Sequence, residues 1–225
     1  TIAPLDQFDN LRKARKNIII PQRKLIKFDT SIGLHPSLQR MAEMYGEAKL
    51  GIVRGVGYPT PNFSLFRSAD IWKTASPAEE VWNTGWLGRY LEKLMPNYPI
   101  GYPNADFPHP PAITIGSVVS STCQGDLLNL GMAVRNPDNF DTLSLTGVDE
   151  VPDSQYGYEL KYLRDMIGQT NSFLSSVKTA SEMGANITNL YPRRNRLAQQ
   201  LRIVARLIAG GLKTKIYIVN MGGYD

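Results

Sequence analysis

Ser64 and Arg67 stand three residues apart in the run Asn62-Phe63-Ser64-Leu65-Phe66-Arg67-Ser68. If this run is helical, a hydroxyl and a guanidinium fall one turn from each other. Asn62 and Ser64 are both N-cap residue types, and Phe66, Ala69, Ile71 and Trp72 supply an apolar face for a helix ending near Ala75. At a helix N-terminus the unpaired N–H groups and the macrodipole favour an anion. A hydroxyl placed there, with an arginine to share negative charge, suits a phosphate or sulfate group. The same residues also read as ordinary cap chemistry, with the arginine turned to solvent. Ser68 lies one turn beyond Ser64 on the same side, and Ser64 is the preferred hydroxyl because it is nearer the helix start.

A strand and a loop must position that hydroxyl. Residues 49–54, Lys-Leu-Gly-Ile-Val-Arg, read as a short strand, and Gly55, Gly57, Pro59 and Pro61 then break regular structure. Upstream, Pro36 suits the first turn of a helix over 36–48, where Leu38, Met41, Ala42 and Tyr45 give a helical stripe. Helix, strand, loop, helix is the rhythm of an α/β sheet. Gly55-Val56-Gly57 is only part of a dinucleotide-binding turn, because Thr60 stands where the third glycine belongs.

Downstream, a helix is expected over 82–95, followed at 96–111 by a proline-rich surface excursion that holds Asp106 and His109. Ala112-Ile113-Thr114-Ile115 reads as a strand, 116–131 as turns, and 136–153 as a solvated acidic loop without calcium-loop spacing. Helices are expected over 156–183, interrupted near Gly168, and over 194–209, ended by Gly210-Gly211. A strand over 213–219 leads into a turn that carries Asp225 after paired glycines. Ligands of open α/β sheets gather beyond the carboxyl ends of strands. Ser64 and Asp225 would both occupy such ends, and they converge if their strands are parallel and close.

The chain of 225 residues is long enough to bury a substantial core, and it reads as one α/β domain over 1–225. No run approaches the roughly 18–20 apolar residues of a membrane span. The one cysteine, Cys123, has no partner for a disulfide and no histidine nearby, so it reads as a small core or loop residue. The net charge of +5 is concentrated in two acid-free blocks. One spans 11–28 with Arg12, Lys13, Arg15, Lys16, Arg23, Lys24 and Lys27; the other spans 191–224 and carries five arginines, Lys213 and Lys215. Such blocks attract an anionic substrate or an anionic polymer. There is no zinc-finger spacing or aromatic RNA-binding signature, so nucleic acid is not the expected partner.

Three stretches together resemble a known family: Gly33-Leu34-His35-Pro36-Ser37-Leu38; Gly55-Val56-Gly57-Tyr58-Pro59 with Phe66-Arg67-Ser68-Ala69-Asp70-Ile71-Trp72; and Gly85-Trp86-Leu87-Gly88-Arg89-Tyr90. The ending Met221-Gly222-Gly223-Tyr224-Asp225 follows the same pattern. The family comprises largely uncharacterised bacterial proteins, exported through the twin-arginine route and related to the alkaline phosphatase and sulfatase superfamily. The resemblance implies an alkaline phosphatase-like α/β fold with a mostly parallel sheet flanked by helices. It also implies a periplasmic or cell-surface location, and a divalent metal (zinc, calcium or manganese) with Asp225 among its ligands. In this reading Ser64 attacks the ester while Arg67 and the helix N-terminus hold the transferred anion. The alternative is a non-catalytic exported or cell-surface protein on the same fold that binds an anionic partner. The family's first apolar strand, with its Gly-Gly-Asn-Asp-Gly-like turn, and its later Asp and His positions have no counterpart here. The resemblance therefore covers the family's central portion.

Overall fold

The computed structural model describes residues 2–27, 29–138, 151–186 and 188–222. The chain divides into two compact units, Thr1–Gly57 and Tyr58–Asp225.

The first unit is built on an antiparallel sheet of β1 (Ile2–Pro4), β2 (Ile26–Lys27) and β3 (Ile32–Leu34), with β3 in the middle. Ile32 and Leu34 of β3 are buried, and Gly33 between them is closely packed, since a Cβ there would lie 3.0 Å from Leu25 Cδ1. Asp29 anchors the turn before β3 by accepting the N–H groups of Ser31 and Ile32 and the Ser31 hydroxyl. Two helices complete the unit, α1 (Phe8–Ala14) and α2 (Gln39–Gly46). A 3-10 turn at Pro36–Leu38 precedes α2, capped by His35, whose Nδ1 accepts the Ser37 N–H.

The strand expected over 49–54 does not form. These residues run without regular structure, and Val53 is 80% exposed. A short β-prone run becomes a strand only when a partner edge and a covering face take it up, and residues 49–54 have no sheet partner. The Arg54 side chain fixes this segment instead, donating to Asp6 at 3.0 Å and to the Ser31 carbonyl at 3.1 Å.

The second unit is an α/β layer structure. Its sheet is wholly parallel, in the order β5 (Gly131–Val134), β4 (Ala112–Ile115), β6 (Ile216–Ile218), with Ala112 opposite both Gly131 and Ile216. Alternation along β4 assigns the two faces. Ile113 and Ile115 pack with Val134, Val177, Ala180 and Leu207 beneath α5 (Gln155–Met183) and α6 (Arg196–Ala209). On the opposite face Ala112 packs with Leu91, Cys123 and Leu130 beneath α4 (Trp86–Leu94) and a 3-10 turn at Ser121–Cys123. Burial on both faces is what a parallel sheet requires.

Three boundaries differ from expectation. The helix expected over 82–95 starts at Trp86, because Gly85 lies in extended backbone and donates its N–H to the Gln124 carbonyl. α5 runs unbroken through Gly168, whose cost of about 1 kcal/mol relative to alanine is small in a helix of 29 residues. β5 begins at Gly131, the last residue of the stretch read as turns, and continues through Met132-Ala133-Val134, where a single β-branched residue gives little strand signal.

Candidate functional site

Ser64 caps α3 (Leu65–Thr74), its Oγ accepting the Arg67 N–H at 3.5 Å. The cap is prepared by an Asx turn, in which the Asn62 Oδ1 accepts the Ser64 N–H at 2.8 Å. The helix therefore starts where the sequence places it, although no strand precedes the loop. Ser64 is exposed, and α3 has no acidic residue in its first turn. By helix geometry the N–H groups of Leu65 and Phe66 have no acceptor within the helix.

Ser68 is in a different environment. It is half-buried, with its Oγ 3.4 Å from the Tyr58 hydroxyl, which also accepts the Asn62 N–H at 3.1 Å. The Tyr58 ring in turn packs edge-on against Trp72 at 6.3 Å. Tyr58 thus ties the loop to the helix, and its position in Gly57-Tyr58-Pro59 gave no sign of that task.

Arg67 is only 17% exposed along its side chain, and both terminal nitrogens of its guanidinium are engaged. It pairs with the Asp70 carboxylate and with the carbonyl of Glu80, and it donates to the carbonyls of Pro77 and Ala78 at 3.1 and 3.2 Å. Nη1 faces Asp70 and Nη2 faces the loop acceptors, which its two N–H groups share, and so the guanidinium fastens the turn at 76–80 to α3. Arg89 does the same one helix later. Its guanidinium donates to the carbonyls of Thr74 and Thr84, at 2.7 and 2.8 Å, and lies 4.8 Å from the Trp82 ring centroid.

The glycines of Gly85-Trp86-Leu87-Gly88-Arg89 also act in packing. A Cβ at Gly85 would lie 2.1 Å from the Thr122 carbonyl oxygen, and one at Gly88 would lie 2.0 Å from that of Gln124. α4 therefore packs directly on the backbone of residues 121–125.

Asp225 lies outside the described residues, as do Asp141, Asp149 and Glu150 of the acidic stretch. Asp138 is described, and it is not simply a solvated loop residue. It joins the end of β5 to the helical layer: Oδ2 pairs with Arg206 Nη1 at 2.8 Å, and Oδ1 accepts the hydroxyl of fully buried Ser181 at 2.8 Å. These donors hold its carboxyl below the usual range, the Arg206 hydrogen bond most strongly. Among the described residues, no three His, Cys, Asp or Glu side chains are grouped as a metal site. Cys123 is completely buried, and desolvation pushes its thiol up to about 11.

A scan against protein-family models finds no match for this chain, and no curated protein or solved structure matches it. No described helix is long and apolar enough to cross a membrane.

Proposed function

We propose that this chain is part of a metal-dependent hydrolase of phosphate or sulfate esters, of the alkaline phosphatase and sulfatase kind, acting in the periplasm or at the cell surface. The observation that carries the reading is the placement of Ser64: an exposed hydroxyl at the N-terminus of a ten-residue helix, whose first N–H groups have no acceptor within the helix and whose first turn holds no acidic residue. Ser64 Oγ attacks the phosphorus or sulfur as the bond to the ester oxygen breaks, and the alcohol leaves with the serine proton. Water later releases the phosphate or sulfate from Ser64, and the N–H groups at the start of α3 receive the charge that develops on the transferred group. Arg67 serves this site by fixing the turn at 76–80 against α3; to hold the anion itself, its guanidinium would have to leave Asp70 and the loop carbonyls. A divalent cation (zinc, calcium or manganese) would supply the activation that a serine hydroxyl needs, with Asp225 as the residue of this chain that holds it.

One observation favours a second reading, a non-catalytic protein that binds an anionic polymer. Phe63 and Phe66, on either side of Ser64, are 96% and 85% exposed, which suits contact with a large partner. Hydrolysis of 4-nitrophenyl phosphate and 4-nitrophenyl sulfate by the product of the complete reading frame separates the two. Turnover lost on chelation and on Ser64→Ala, but kept in Ser68→Ala, supports the hydrolase. No turnover with added zinc, calcium or manganese, or full activity in Ser64→Ala, overturns it.

A further inference from the structure

A cavity lies at the edge of the parallel sheet opposite the strands' carboxyl ends. It has a volume of about 160 Å³, opens partly to solvent and is lined by α4, by the loop that enters β4 and by the residues that enter β6. Leu91 and Met95, each 1% exposed, form its floor with the buried Pro110 and Pro111. Apolar cavities of about 150 Å³ accept a single benzene-sized ring.

His109, Lys213 and Lys215 line the cavity with one acid, Asp106. Lys215 Nζ stands 5.8 Å from the Phe107 ring centroid, and neither lysine has a carboxylate partner among the described residues. The walls are fixed in place. His109 Nδ1 accepts the Lys213 N–H at 3.0 Å, and the buried Thr214 hydroxyl donates to the Pro110 carbonyl at 2.8 Å. Prolines at 108, 110 and 111 lock the loop backbone further. With Nδ1 as the acceptor, neutral His109 carries its proton on Nε2 and remains a donor there.

We propose that this cavity is a binding site for a small aromatic monocarboxylate. The ring occupies the apolar floor, and the carboxylate is held by Lys213, Lys215 and the His109 Nε2–H. Charge complementarity decides the class of ligand: two ammonium groups without a carboxylate partner among the described residues outnumber one acid, Asp106, over a floor that suits an apolar body.

Titration of the 225-residue chain with benzoate, and with benzamide as its neutral isostere, tests the site by calorimetry and by the Met95 methyl resonance. Benzoate is expected to bind and shift Met95, with benzamide at least tenfold weaker. Lys215→Gln, an exposed change that leaves the fold intact, is expected to weaken benzoate about tenfold, Asp106→Asn to tighten it, and Leu94→Trp to abolish it by filling the space. Absence of benzoate binding overturns the proposal. Equal binding of benzoate and benzamide, or an unchanged affinity in Lys215→Gln, overturns it as well.

Discussion

The main chain of Arg67 donates to Ser64 Oγ while its side chain binds the turn ten to thirteen residues further on, so one residue joins the helix cap to the loop behind it. Loop carbonyls left without donors are costly when they are partly buried. That division of labour gives Ser64 and Arg67 different mutational signatures.

Arg67→Ala is expected to lower stability by roughly 1–2 kcal/mol, because it removes the donors of Asp70 and of the part-buried Ala78 carbonyl, while the exposed carbonyls of Pro77 and Glu80 turn to water. Arg67→Lys should recover little, since an ammonium cannot span the same acceptors. Ser64→Ala should cost only about 0.5 kcal/mol, as its capping bond is long at 3.5 Å. Urea denaturation of the three variants checks the order. An Arg67→Ala chain as stable as the parent would show that the guanidinium contacts contribute nothing.

Cys123 should be silent toward alkylation. The thiol is buried and its pKa is raised to about 11, so almost no thiolate exists at pH 8 and none of it is accessible. Iodoacetamide is expected to label the chain only in denaturant, as read by intact mass. Rapid labelling of the folded chain would contradict the packing of Cys123 against Ala112 and Leu130.

Much of the second unit was legible because its signals are local and repeated. The stripe of Leu197, Leu201, Val204 and Ile208 marks α6 as a helix, although the structure starts it at Arg196 behind an Asn195 cap rather than at 194 and buries Leu207, and Ile113-Thr114-Ile115 marks β4. What failed depended on partners distant in sequence. Residues 49–54 look like a strand but have no edge to join, whereas Gly131-Met132-Ala133-Val134 looks like little and pairs with β4 along its whole length. At the candidate site the cap at Ser64 was readable from residue types. The engagement of Arg67 was not, because its acceptors are backbone carbonyls that carry no sequence identity.

The Asp138 carboxyl gives the chain an acid-sensitive joint. Its pKa is held below the unfolded value by Arg206 and Ser181, so the folded state favours the charged form. The stability this contributes is fully present above the ordinary aspartate pKa of 3.8 and is lost as pH falls through the lowered folded value. Asp138→Asn is expected to be less stable than the parent at pH 7, and the two should converge on acidification toward pH 3. Urea midpoints measured across that range test it. A constant gap down to pH 3 would remove the charge from the explanation.

Two helical glycines should respond to alanine in opposite directions. Gly168 sits inside α5 with open space where an alanine methyl would stand, so Gly168→Ala removes the conformational freedom of glycine from the unfolded chain without a clash. A gain of about 0.5–1 kcal/mol follows from helix propensity. Gly88 sits inside α4, where an added Cβ meets the Gln124 carbonyl oxygen at 2.0 Å and the Gly125 nitrogen at 2.8 Å. These are backbone atoms on the covering turn of the sheet, so α4 must move away and open the cluster of Leu91, Cys123 and Leu130. Gly88→Ala is therefore expected to cost about 2–3 kcal/mol despite the same favourable propensity change. Thermal denaturation of both variants isolates packing from propensity, because the substitution is chemically identical. If Gly88→Ala matched Gly168→Ala, the close approach of α4 to residues 121–125 would be wrong.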